Sequence, residues 1–198
     1  MSTPALTLYH AAGSSSFAVL IALHEVGAPF ELKRLRLDQR DADPPEFRGL
    51  NAEGKVPTLL IGGRPLTEVA GVLWYLARAY PAAGLLPLGD IEAEARIISW
   101  MSFVASALHP ARQLEPAKGQ AVYQVAEQRL GAGPWVLGAA FSIADIHLFR
   151  LFWRFRGLLE LDAASFPNLT AHRERMLQRK AVQKALAEDV AAGLVAPA

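Results

Sequence analysis

Three consecutive serines, Ser14-Ser15-Ser16, follow Gly13 and precede an apolar run that begins at Phe17. A hydroxyl in that place has two uses: it accepts a backbone N–H and caps the helix, or it donates to an anion that a helix N-terminus already favours. Glu68 opens a second helical run, where a carboxylate either meets the helix dipole or binds a cationic group of a ligand. His109, within Leu108-His109-Pro110, is either a structural histidine near a helix end or a neutral imidazole able to donate a hydrogen bond and relay a proton. Cysteine is absent. The protein's own sulfur therefore supplies no disulfide, thiolate metal site or nucleophile, and any thiol chemistry uses a thiol carried by a substrate. No residues show metal-ligand spacing, and there is no phosphate-loop or dinucleotide glycine pattern, so no metal is expected.

The elements that must hold these residues are legible from pattern. Ala5 to Tyr9 alternates as a strand does, Ala11 to Ser16 reads as loop, and Phe17 to Val26 is a helix apolar on nearly every face that stops at Gly27. Phe30 to Leu37 is a second strand whose apolar phase shifts before Leu35, the mark of a bulge or a strand end. Strand, buried helix and strand make a βαβ unit. Lys33, Arg34 and Arg36 read as its solvated face. Asp38 to Ala52 reads as loop with one helical turn. Val56 to Ile61 is a strand with Pro57 near its start, and Gly62-Gly63 turns it back into Arg64-Pro65-Leu66. Thr67 is expected to cap a helix carrying Val69, Val72, Leu73, Leu76 and Tyr80, which Pro81 ends.

Residues 81–89 are rich in Pro and Gly and form the natural linker between a domain over 1–80 and another over 90–198. Beyond the linker the pattern is helical. Ile91, Ala95, Ile98, Met101, Ala105 and Leu108 make one stripe of a helix that Pro110 should end, and Val122, Val125 and Ala126 mark a shorter helix. In Phe141-Ser142-Ile143-Ala144-Asp145-Ile146, Ser142 and Asp145 form a capping box, with Phe141 set to staple onto Ile146. The following helix, from Leu148 to Phe155, is apolar around most of its circumference and should be the core of the second domain, with His147 as a core or inter-helix histidine. Pro167 opens a further helix.

Composition limits the partners. The 198 residues are 52% apolar and 20% charged, as a folded globular chain is, and 20 basic against 19 acidic side chains give a formal charge of +1. No net field favours nucleic acid or an anionic membrane, so neither is expected as a partner. Without a basic leader or a long apolar run, the expectation is a soluble, cytoplasmic protein.

Several segments, in order and spacing, carry a family likeness: Asn51-Ala52-Glu53-Gly54-Lys55-Val56-Pro57, Leu66-Thr67-Glu68, Trp135-Val136-Leu137-Gly138, the capping box, Phe166-Pro167-Asn168-Leu169, and the run from Arg179 to Leu186. With the βαβ-ββα and all-helical halves, they make the chain resemble the cytosolic glutathione transferases. The nearest members are those of the bacterial beta class, with theta-, delta- and zeta-like members behind them. The resemblance implies an α/β plus all-α fold, in which a thioredoxin-like domain binds glutathione as co-substrate and a helical domain receives an electrophile. It also implies a homodimer, paired through the helix after Thr67 and the helix from Ile91.

By the same resemblance, Val56, before a cis Pro57, offers its backbone to the cysteinyl part of glutathione. Glu68 partners the γ-glutamyl ammonium, and N–H groups beside it receive the α-carboxylate. Arg40 corresponds to a lysine that some relatives use on the glycyl carboxylate, and Lys55 is among the residues expected to bind glutathione. Val69 stands where most relatives have serine, which removes one side-chain contact and leaves the backbone N–H. Ser15 occupies the place of the beta-class cysteine and excludes mixed disulfides with glutathione; the glycine-serine pattern of theta- and delta-like members selects Ser14 instead, and other classes use a tyrosine at the position of Tyr9. His109 matches a histidine beside the sulfur. The interval from His109 to Trp135 is short for the family, which reshapes the electrophile pocket expected between residues 100–109 and the loop after Gly13. The implied reaction is conjugation of the glutathione thiolate to an apolar electrophile. The alternatives are a glutathione-dependent isomerase or dehalogenase, or a non-catalytic interaction module.

Overall fold

The computed structural model describes residues 4–38 and 44–194. Its sheet is built around β1 (Leu6–His10), which pairs in parallel with β2 (Glu31–Arg34) and antiparallel with β3 (Thr58–Ile61); β4 (Arg64–Thr67) closes the order β2-β1-β3-β4. The crossover between β1 and β2 is α1 (Ser16–Val26), buried from Ser16 to Leu23. Its lack of a polar face has a direct cause: α1 lies against β1 on one side and against three further helices on the others. It stops at Gly27, whose left-handed φ of 65° turns the chain towards β2.

Two local expectations, for β2 and for Thr67, are revised. β2 has only four residues; Leu35 N–H reaches His10 C=O at 2.7 Å, and the chain leaves the sheet where the apolar phase shifts. The loop after it holds α2 (Pro45–Leu50), which buries Phe47 against the ring of Tyr9 with centroids 4.8 Å apart. Thr67 does not cap a helix but remains in β4, opposite Thr58. The helix, α3 (Val69–Ala79), starts after Glu68, which takes an unfavourable left-handed φ of 64° at the junction.

In the helical half, α4 (Ile91–Phe103) is capped by Asp90, whose carboxylate accepts the Ala93 N–H at 3.0 Å. The helix was expected to end at Pro110, and it does so within one residue, passing first through a π turn (Val104–Leu108) into α5 (His109–Ala111). His109 N–H bonds the carbonyl of Val104, five residues back. That wider turn absorbs the proline's missing N–H and its ring, and π turns of this kind cluster at functional sites. Helix α6 (Pro116–Leu130) has 15 residues and is longer than its apolar signal implies. Its buried stripe is Gly119, Tyr123, Ala126, Glu127 and Leu130, while Val125 faces solvent. Gly119 sits where a Cβ would lie 2.6 Å from a terminal methyl of Leu159, so any larger residue requires that side chain to shift.

Helix α7 (Ile143–Phe155) starts from the predicted capping box and is buried from Ile143 to Trp153. Asp145 accepts the Ser142 and Val136 N–H groups and meets His172 at 3.1 Å, joining the 135–138 loop to α7 and α8 (Pro167–Leu177). Phe141 packs on Trp135, with ring centroids 5.0 Å apart. The last helix, α9 (Lys180–Ala191), returns to lie along α1. Among the described residues no helix is long and apolar enough to cross a membrane.

Candidate active site

A cleft of about 630 Å³ separates the sheet half from the helical half. On the sheet side it is lined by Gly13, Ser14, Ser15, Lys55, Val56, Pro57, Glu68 and Val69. Thus seven of the predicted site residues share one surface, and His109 faces them from the helical side. Tyr9 does not join them: it is 1% exposed, packed on Phe47 under the ammonium of Lys33. Arg40 lies outside the described residues.

The Val56–Pro57 bond is cis, as expected. Asn51 fixes the turn that presents it, donating through Nδ2 to the Lys55 carbonyl at 2.8 Å and to Thr58 Oγ1 at 2.9 Å, and accepting Glu53 N–H at 3.0 Å. Pro57 and Thr58 are buried, whereas Val56 is half-exposed on the cleft. A backbone segment just before a strand and facing a cleft can add an extended peptide, as a further strand would. Lys55 pairs with Glu53 at 2.8 Å on the rim.

Glu68 is exposed at the same cleft, with its side chain making no capping bond to α3. Its backbone strain, observed here at the edge of a cleft, is of the kind that persists where a side chain must be aimed. Val69 and Ala70, at the start of α3, also line the cleft. Their N–H groups lie in the first turn, where a helix leaves its donors unpaired and an anion is favoured.

The serines divide the work differently from a simple cap. Ser15 stands at the N-terminus of α1 in helical conformation, makes no capping hydrogen bond and is half-buried in the cleft wall. Ser14 and Ser16 belong to a buried chain: Asp189 Oδ1 to His10 Nε2 at 2.6 Å, His10 Nδ1 to Ser16 Oγ at 2.8 Å, Ser16 Oγ to Ser14 Oγ at 2.6 Å. Asp189 Oδ2 also accepts the Gly13 N–H at 2.9 Å. A carboxylate only accepts, so Nε2 of His10 donates; with a neutral ring, Nδ1 then accepts the Ser16 hydroxyl proton. Ser16 Oγ in turn accepts from Ser14, whose oxygen receives the Ser16 N–H at 3.2 Å. The Ser14 proton is directed inward by this polarity, and Ser15 keeps the uncommitted hydroxyl.

The helical side carries Ala105, His109, Pro110, Arg112, Gln113, His147, Arg150, Arg154 and Phe155. Arg150 is 4% exposed; its Nε donates to the Ser14 carbonyl at 3.1 Å, so α7 reaches across and holds the serine loop. Burial lowers His109 to about 4, helped by the positive charges of Arg150 and Arg112. Burial likewise lowers His147 to about 3, with Arg150 adding to the effect. Both rings are neutral at pH 7. Because the unfolded chain takes up these protons near pH 6.5 and the folded one does not, stability is full above that pH and declines as pH falls towards 3. Urea unfolding between pH 8 and pH 4 should show this decline, and His147→Gln should remove a large part of it.

Sequence reasoning missed His10, Asp189, Arg112, Arg150 and Arg154. Arg150 had a signal, as a cation at a core position of a mostly apolar helix. Asp189 had none, since the His10 it meets is 179 positions away.

Family comparisons agree with this geometry. Models of the glutathione S-transferase N-terminal and C-terminal domains match residues 14–79 and 105–180. Glutathione S-transferase GST-4.5 of Xanthomonas campestris pv. campestris is 31% identical, over 91% of this chain and 97% of that protein. A sphingomonad glutathione S-transferase solved in complex with glutathione superposes with a TM-score of 0.82 at 32% identity, covering 96% of this chain and all of that one. The beta-class enzyme of Sphingomonas chungbukensis gives a TM-score of 0.80 at 31% identity, over 92% of this chain and 98% of that one. The chain belongs to the glutathione S-transferase family. Within it, the bacterial relatives place the chain near the beta class.

Proposed function

We propose that the cleft binds glutathione, holds its sulfur as thiolate at Ser15, and transfers it to an electrophile seated against α5 and α7. The observation that carries this reading is the meeting, in one cleft, of the Val56 backbone before a cis proline, the strained Glu68 at a helix start and the uncommitted hydroxyl of Ser15. The cysteinyl part of the tripeptide lies along Val56 as an added strand. Glu68 takes the γ-glutamyl ammonium, while the first turn of α3 at Val69 and Ala70 takes the α-carboxylate. Lys55 lies on the rim towards the glycyl end. Ser15 donates to the sulfur, and the N-terminus of α1 favours the negative charge. His109, neutral at working pH, is a hydrogen-bond donor on the electrophile's side and not a general acid.

The sulfur lone pair forms the new bond to carbon, and the leaving group departs with its own electron pair; the thiol proton has already passed to water. The glutathione-binding unit spans residues 1–80, the linker 81–89 and the helical unit 90–198. Two copies pair through α3 and α4, where Ile91 and Ile98 are 85% and 50% exposed in the single chain. The protein works in the cytoplasm.

Calorimetry tests the reading: glutathione binds, and Glu68→Ala weakens it by about tenfold or more through loss of a charged partner. Absence of heat at millimolar glutathione would overturn the reading, and unchanged affinity in the variant would displace the γ-glutamyl group from Glu68.

A further inference from the structure

The helical wall of the cleft is cationic. Arg112, Arg150 and Arg154 line it beside His109 and His147, while the acidic side chains of the cleft, Glu53 and Glu68, stand on the opposite wall with Lys55. Among the described residues none of the three arginines has a carboxylate partner: Arg112 donates to the His109 carbonyl at 2.7 Å and Arg150 to the Ser14 carbonyl at 3.1 Å. The guanidinium of Arg150 otherwise faces the ring of Phe155, 5.4 Å from its centroid. Like charges gathered in a partly desolvated cleft repel one another, and the cost is relieved when an anion enters. A second observation points the same way. His147 Nδ1 is buried on this wall without a hydrogen-bond partner, and a neutral imidazole there can turn an N–H towards an acceptor.

We infer that the electrophile is a carboxylate-bearing molecule, its anionic group held by Arg112 and Arg154 over the floor formed by Arg150 and His147, and its apolar body lying on Ala105, Pro110 and Phe155. A planar guanidinium suits a carboxylate because two N–H donors meet its two oxygens. The anion fixes the far end of the substrate and thereby the reacting carbon's approach to the sulfur near Ser15. The inference rests on the transferase reading and names its substrate class.

A matched pair of probes tests it: 4-chloro-3-nitrobenzoate and 4-chloro-3-nitrobenzamide, each enzymatic kcat/KM divided by the probe's uncatalysed rate with glutathione. In both, sulfur forms the bond to the ring carbon and chloride leaves with its electron pair. The wild-type protein should favour the benzoate by about tenfold or more, and Arg112→Gln and Arg154→Gln should bring the ratio towards unity. Arg173→Gln, on α8 beside Glu174 and outside the cleft, should leave the ratio as it is. A second measurement needs no turnover: calorimetry of the two finished conjugates, carboxylate and carboxamide, should show the same preference and the same loss in the variants. A wild-type ratio at or below unity in both measurements would overturn the inference while leaving glutathione transfer intact. Arginine variants that weaken glutathione itself as much as the carboxylate conjugate would also overturn it, by assigning the cations to the tripeptide. If neither conjugate nor glutathione binds, the transferase reading fails and the inference falls with it.

Discussion

Replacing Ser15 with alanine should raise the pKa of bound glutathione by about one to two units and cut turnover at neutral pH by about ten- to a hundredfold. The magnitude follows from the donor removed. A hydrogen bond to a charged acceptor is worth about 1.5–3 kcal/mol, and each pKa unit corresponds to about 1.4 kcal/mol of preference for the thiolate. Affinity for glutathione should change little, because the tripeptide's backbone and charged ends are held by Val56, Glu68 and the start of α3. Ser14→Ala should behave differently. The Ser14 proton points into the buried chain towards Ser16, so its loss loosens the loop and leaves the thiol pKa near that of the wild type. If Ser14→Ala shifts the pKa and Ser15→Ala does not, the hydrogen-bond polarity derived from Asp189 is reversed.

The second large effect is on stability. Asp189→Ala removes the acceptor of two buried donors, His10 Nε2 and the Gly13 N–H. Each unsatisfied buried group costs about 1–3 kcal/mol, so a loss of about 3 kcal/mol or more in urea unfolding is expected. The same carboxylate ties the C-terminal helix α9 to the loop that presents Ser14 and Ser15. Gly13, whose N–H the carboxylate holds, takes a φ of +68°, a conformation that favours glycine. Asp189→Asn, which keeps one acceptor oxygen, should lose less. Equal stability of Asp189→Ala and the wild type would show that the buried chain contributes nothing to holding the loop.

The parts of the fold legible from sequence are those encoded over short spans. The apolar circumference of α1, Gly27 after it, the Gly62-Gly63 turn and the box of Ser142 and Asp145 each state a local preference that tertiary packing then agrees with. Pro110 marked the end of the helix to within a residue, Ala111 being the last, but the π turn before it had no signal in the sequence. Thr67 misled because its pairing with Thr58 in the sheet outweighs its preference for a cap. The site was half legible. Val56, Pro57, Glu68 and the serines lie in one half of the chain and carry motif order. The choice between Ser14 and Ser15 was not legible, because it depends on Asp189, brought from the far end of the chain. The cationic wall escaped notice since Arg112, Arg150 and Arg154 converge only when α5 and α7 pack.

The most direct test of a thiolate held in this cleft is the difference absorbance of glutathione bound to the wild-type protein, titrated against pH. The bound thiol should ionise at least about one unit below the roughly 8.5 of a free cysteine thiol. A bound thiol that titrates at the free value, under conditions where calorimetry shows the site filled, would contradict activation by Ser15 and by the helix N-terminus together.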